Sequence, residues 1–251
     1  MKINFHGILF IAGVLVVWQI ISSLNIFSGP LFPSPIEVFS ALFTIALSGE
    51  LLAQILSSFW RVLAGLALGA IAGIFIGVLM GRSIFLNKTA SPLLNILRAF
   101  PPVAMIPLFI LWFGITDSSK IIAIALAVFF PVWVSSVSGA KQIPVDYIRA
   151  AHLLIKSKTK RFFFVILPAA LPFIISGVRI GIAMAFIMVF VSELAGASSG
   201  LGFFISNAQV TYRIDNLLAG LISLGLLAAL TDQIFVSSTK YLFPWVIKNE
   251  S

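Results

Sequence analysis

Six apolar runs, at about 5–23, 62–81, 93–114, 120–140, 171–194 and 214–236, decide what this chain can become. A helix that crosses a bilayer needs roughly 20 predominantly apolar residues. Lipid offers no partner to backbone N–H and C=O groups, so a run that crosses it must be helical or close into a barrel. The expected fold class is all-α: a polytopic membrane protein with six transmembrane helices in one domain over 1–251. Composition agrees, since 60% of the residues are hydrophobic and 10% are charged, against about 25% charge in a soluble domain. The first run, Phe5 to Ile21, is long for a signal-peptide core, and no small-x-small cleavage site follows before Leu24. It is read as a retained first helix.

The net charge of +8 does not point to nucleic acid, because the basic residues cluster in loops between apolar runs. That pattern sets orientation in a membrane. With the N-terminus inside, Lys2, Arg82, Lys88, Lys141, Arg149, Lys156, Lys158, Lys160, Arg161, Lys240 and Lys248 are cytoplasmic. Lys120 and Arg213 then fall outside, with Glu37, Glu50, Asp117 and Asp215. Both termini and the 141–170 segment are expected in the cytoplasm.

The connection 24–50, with Gly29, Pro30, Pro33 and Pro35, reads as loop, and Leu51 to Trp60 as an amphipathic approach to the second span. Pro101, Pro102 and Pro107 interrupt the third span, and proline removes a helix donor. Gly65, Gly69, Gly73, Gly77 and Gly81 recur every fourth residue, and Gly177 and Gly181 repeat the spacing. Such a ridge lets a second helix approach closely, either as packing inside one subunit or as a sliding surface between subunits or gating helices. Charges at membrane depth are costly and mark function by default. Arg61 and Arg179 are read as near helix starts, where they can snorkel. Arg98 is placed to hold carbonyls freed by the proline break, and Asp232 completes the set with Glu193. Glu193 is either solvated at the outer interface or paired with an arginine that latches an outer gate.

Enzymatic signatures are missing. The chain has no GxxxxGK[ST] loop, nucleophile elbow or HExxH. It has no cysteine, and His6 and His152 stand far apart. No catalytic residue, metal site or cofactor is expected. Ser198 to Gly202 reads as a re-entrant or gate-capping loop.

The longest markedly basic stretch is Asp146 to Pro172. Asp146 is a candidate N-cap for a short helix, Tyr147 to Leu154, with a small Ala150-Ala151 face. A second helical stretch should run to about Val165, stopped by Leu167-Pro168. Phe162 to Val165 is too apolar for a loop that only sets topology, and helix-in-groove docking to a partner is a known recognition mode.

These residues resemble the transmembrane permease subunits of bacterial ABC importers, closest to the nitrate/sulfonate/taurine branch. That family's cytoplasmic signature is Glu-Ala-Ala, three residues, Gly, nine residues, Ile-x-Leu-Pro. The same frame here holds Arg149-Ala150-Ala151, Ile155 and Val165-Ile166-Leu167-Pro168. Phe32 to Pro35, Ser58 to Arg61 with Gly65, Arg98 to Pro107, Leu111 to Gly114, Leu167 to Pro172, Gly177, Arg179, Glu193 and Ser198 to Gly202 resemble further motifs of the branch. The resemblance covers about 30 to 245.

The resemblance implies a type I ABC importer permease fold in the bacterial inner membrane. It implies a homodimer of permeases, two copies of a separate ABC ATPase subunit and an extracytoplasmic substrate-binding protein. Ala150, Ala151 and Leu154 are read as the docking core for the ATPase, with Arg149, Lys156 and Lys158 on its rim and Ile155, Leu167 and Pro168 completing the coupling segment. Pro101, Pro102, Met105, Met184, Met188 and Glu193 are the implied pathway or gate residues. Arg149 replaces the signature's Glu and Ile155 its Gly. A β-branched residue is strained wherever φ is positive, so the turn after the first short helix must differ or the helix must continue. The solute would be a small anion such as a sulfonate, taurine, nitrate or bicarbonate. The alternatives are a vitamin precursor, or an ATPase-independent secondary transporter or channel. The last requires ionisable residues deep in the spans, and the candidates are placed near span ends.

Overall fold

A computed structural model describes residues 5–24 and 31–247. Lys2, Gly29, Pro30 and Lys248 lie outside the described residues. Among the described residues 88% are helical and none is in a strand. Five helices are long and apolar enough to cross a membrane: α1 (Phe5–Ser23), α3 (Glu50–Arg82), α6 (Asp117–Lys141), the continuous Lys158–Leu194 and α11 (Ile214–Leu242). α4 (Ile84–Ala99) and the Pro102–Phe113 segment, bent by 84° at the break, are long and apolar enough only when taken together, which makes up to six spans among the described residues. The bend follows from Pro101 and Pro102. Beyond it come a 3-10 turn, Pro102–Met105, and α5 (Ile106–Phe113), with Pro107 in its first turn.

Three expectations need correction. The 24–50 connection is not all loop, because α2 occupies Pro35–Leu47. The Ser34 hydroxyl accepts from the Glu37 amide (3.3 Å), and the Glu37 carboxylate accepts from the Ser34 amide (2.6 Å). That reciprocal capping, with Pro35 at the first helical position, starts a helix. The second correction concerns the "approach" Leu51 to Trp60, which is the N-terminal part of α3. This helix of 33 residues is about 50 Å long at 1.5 Å per residue and overshoots a hydrocarbon core of about 30 Å. Third, Leu167-Pro168 does not stop the helix. A short α8 (Lys158–Arg161) leads through a π turn, Phe162–Ile166, into α9 (Leu167–Leu194). The Leu167 amide donates to Phe162 O, five residues back. Pro168 lacks the N–H an unbroken ladder would use, and the π turn just before it absorbs the interruption.

The core is a three-helix layer with α6 in the middle, α3 on one side and α9 on the other. The glycine ridge of α3 rests on α6. A Cβ at Gly65 would meet Ile124 at 2.5 Å, one at Gly77 would meet Ser136 Cβ at 2.6 Å, and one at Gly81 would meet Ala140 Cβ at 2.6 Å. On an adjoining strip of α6, a Cβ at Gly177 would lie 2.6 Å from Ser135 Cβ, and one at Gly181 3.1 Å from Val128, which the α3 ridge also meets. Of the two readings of the ridge, the structure shows close packing within one chain. A second cluster joins α2, α11 and α10 (Leu201–Val210), a short helix folded back after α9. Between α6 and α8 lies α7 (Val145–Leu154), which packs on the π turn, and α12 (Pro244–Ile247) ends the described chain.

Candidate functional site

The continuous helix Lys158–Leu194 joins two regions of interest. At its start is the basic hairpin. At its far end, about 50 Å along the axis by rise per residue, is a buried polar node around Glu193.

In the hairpin, α7 begins two residues before the expected start. Its cap residue is Pro144, and Asp146 lies in the first turn without a capping bond, a correction to the expected N-cap. Asp146 instead meets Arg149 Nη1 at 3.4 Å on the exposed face. Ile155 adopts φ −125° and ψ 107°. This extended conformation suits a β-branched residue, so replacing glycine there leaves no strain. The chain leaves α7 extended and restarts at Lys158 with the Ser157 hydroxyl as cap. The two adjacent alanines part company. Ala151 is buried, where α7 packs on the π turn, whereas Ala150 is exposed. The outer face instead carries Leu153 and Leu154, 86% and 83% exposed, beside exposed Arg149, Lys156 and Lys158. Leu153 was missed because the small-residue pair drew attention to its own face. Helical spacing from Ala150 (i, i+3, i+4) would have found it. Leu167 and Pro168 lie half-buried in the following turn, away from this face.

At the other end Arg61 is buried, not snorkelling, because α3 starts eleven residues before it. Its Nη1 donates to Glu193 Oε1 (2.6 Å) and Ser199 O (2.7 Å), its Nε to Asp117 Oδ1 (2.8 Å) and its Nη2 to Ser199 Oγ (2.9 Å). Glu193 also accepts from Ser58 Oγ (2.9 Å) and from the Gly202 amide (2.8 Å). Ser58 Oγ accepts from the Leu201 amide (2.8 Å), and Gln54 Oε1 from the Gly200 amide (2.6 Å). The opening amides of α10 are therefore held by side chains of α3 and α9, with a carboxylate at the positive end of a helix. Gly200 has φ 112°, a conformation open to glycine, and a Cβ there would collide with the Glu193 carboxylate. Charge reaches the interior here only because nearly every donor and acceptor is matched. Lys120, expected outside in solvent, is buried near the start of α6 and turns its ammonium back to Thr116 O at 3.1 Å.

The remaining candidates are not brought together. Arg98 is exposed and makes no hydrogen bond to the broken segment. Pro101 is exposed, while Pro102 and Met105 are half-buried in the bend. Met184 is exposed on α9, and Met188, one turn on, is packed in the core. Arg179, placed near a helix start from sequence, lies in the middle of the continuous helix. It forms a two-pronged pair with Asp232 of α11, Nε to Oδ1 at 2.8 Å and Nη2 to Oδ2 at 2.9 Å.

Comparison with known proteins now gives this geometry a family. Residues 69–248 match the model of the binding-protein-dependent transport system inner membrane component. The putative aliphatic sulfonates transport permease protein of Bacillus subtilis (strain 168) is 35% identical over 95% of this chain and 87% of its own length. The taurine transport system permease protein of Escherichia coli (strain K12) is 34% identical over 94% of this chain and 87% of its own. Among solved structures, that of an amino acid ABC transporter with histidines superposes with a TM-score of 0.60 at 18% identity, over 80% of this chain and 96% of that one. That likeness concerns the fold, a type I ABC importer permease. The chain belongs to the family of inner-membrane components of binding-protein-dependent ABC transport systems.

Proposed function

We propose that this chain is the single-domain permease of an ATP-driven importer that moves a small anion across the bacterial inner membrane by alternating access. Sulfonates and taurine come first among solutes because the relatives compared above are named for them; nitrate and bicarbonate follow from the branch the sequence resembles. Both termini face the cytoplasm. Two permease copies form the pathway, two copies of a separate ATPase grip the hairpins, and a binding protein delivers solute outside. ATP hydrolysis belongs to the ATPase.

One observation carries the reading: α7 presents two leucines, almost fully exposed, on a cationic hairpin whose second arm, from Lys158, is continuous with a core helix. Apolar side chains so placed fit a groove on a partner. Arg149, Ala150, Leu154, Lys156 and Lys158 border that contact with Leu153. Ala151, Ile155, Leu167 and Pro168 set the hairpin's angle. Motion of the hairpin would be passed along the helix to Glu193, whose pairing with Arg61 closes the outer end as a latch. Pro101, Pro102, Met105, Met184 and Met188 are retained as pathway residues, with Met188 reaching the passage only after α9 moves.

The mid-span position of Arg179 and Asp232 removes one argument against an ion-coupled carrier, but family membership supplies a stronger one. The test is uptake of radiolabelled taurine, an alkanesulfonate, nitrate and bicarbonate by proteoliposomes holding the permease, its ATPase and its binding protein. ATP-dependent uptake of at least one anion is expected. Equal uptake without the ATPase would overturn the reading.

A further inference from the structure

We infer that Arg179 and Asp232 form an anion-exchange point on the solute pathway, where a small oxyanion takes the place of the Asp232 carboxylate on the guanidinium. The inference rests on the transport reading above. Arg179 lies 14 residues from Glu193 and 18 from Arg161, roughly 21 and 27 Å by rise per residue. That is deep within a span of this length. Yet the Arg179 side chain is 58% exposed and that of Asp232 32%. Charge at this depth is not left facing lipid; it faces water or protein.

For Arg179 and Asp232 we infer water. Ser176 and Ala183, within a turn of Arg179 on α9, and Gly225 and Ala229, within two turns of Asp232 on α11, are exposed and small. Bulkier exposed residues, Ile180, Met184, Leu226 and Leu230, stand on the same stretches of α9 and α11. The small residues leave room for a solute beside the pair. The bidentate contact uses Nε and Nη2, and Nη1 makes no protein hydrogen bond. A sulfonate, nitrate or bicarbonate oxygen can bond Nη1 first and then displace the carboxylate, since guanidinium and planar or tripod oxyanions match in geometry. The resident carboxylate keeps the arginine paired between solutes and makes release reversible.

The chain's lack of cysteine makes the test clean. Ala183→Cys leaves the ion pair intact, and the probe is the sulfonated thiol reagent MTSES, applied to the permease–ATPase–binding-protein complex in proteoliposomes. Modification at least tenfold faster than at Leu230→Cys is expected, slowed by whichever anion the wild-type complex takes up. Arg179→Gln should raise the half-saturating anion concentration for uptake at least tenfold, and Asp232→Asn should not. An unreactive Ala183→Cys in a transporting complex overturns this inference alone. So does full uptake by the exchanged Arg179→Asp, Asp232→Arg protein, which would make the pair a structural clasp. A wild-type complex that takes up none of the four anions overturns the transport reading itself, and this inference with it.

Discussion

Glu193 and Arg61 show how charge survives inside this chain. Each is almost wholly removed from solvent, and each is matched by several partners. Removing one member of such a pair leaves the other charged and alone, at a cost of about 3–5 kcal/mol. Arg61→Met should therefore lower the thermal midpoint of the detergent-solubilised protein far more than Glu193→Gln, which keeps most of the hydrogen bonds. Equal midpoints would show that the node is not held by charge. Both residues stood out in the sequence as ionisable groups in apolar runs, and pairing of Glu193 with an arginine was one of two open readings. The partner was not legible, because 132 positions separate the two and α3 was taken to start beside Arg61. Asp117 and Ser199 were hidden for the same reason: long-range pairing leaves no trace in spacing. The expected span of about 171–194 puts Arg179 near a helix start, whereas the helix runs back to Lys158.

At the scale of elements, the glycine ridge was plain from its four-residue period, but its partner was not. The structure supplies α6, whose backbone approaches so closely that side chains on the ridge have no room. Gly77→Val should cost about 1–3 kcal/mol or more through overpacking, read as a fall in thermal midpoint. Gly13→Val, with nothing within 4 Å of its Cβ, should leave the midpoint unchanged. Parity between the two would deny that the ridge is tightly packed. The capping box of α2 was present in the letters Ser34-Pro35-Ile36-Glu37 and was overridden by the density of prolines around it. The hairpin offers an element-scale prediction of its own. Ile155 is unstrained and extended, so the native link is built for this residue. Arg149→Glu with Ile155→Gly should uncouple ATP hydrolysis from uptake, seen as more ATP consumed per solute moved. A gain in coupling would mean that the native hairpin is impaired.

For the whole molecule, six-span architecture, helical class and family were legible because lipid allows so few solutions for a chain of long apolar runs. What the sequence left open was how the ends communicate. In the proposed mechanism they do so through one helix, Lys158–Leu194, with a π turn near its Lys158 end and the buried node at the other. Such a strut can transmit displacement of the hairpin to the node without a chain of intermediate contacts, and the π turn next to Pro168 is the place where it can flex. The most direct test replaces Leu153 and Leu154 together with aspartate and measures ATP-driven anion uptake by the complex in proteoliposomes. Loss of ATPase copurification and at least a tenfold fall in uptake are expected. Uptake at the wild-type rate would contradict the claim that the ATPase acts through this hairpin.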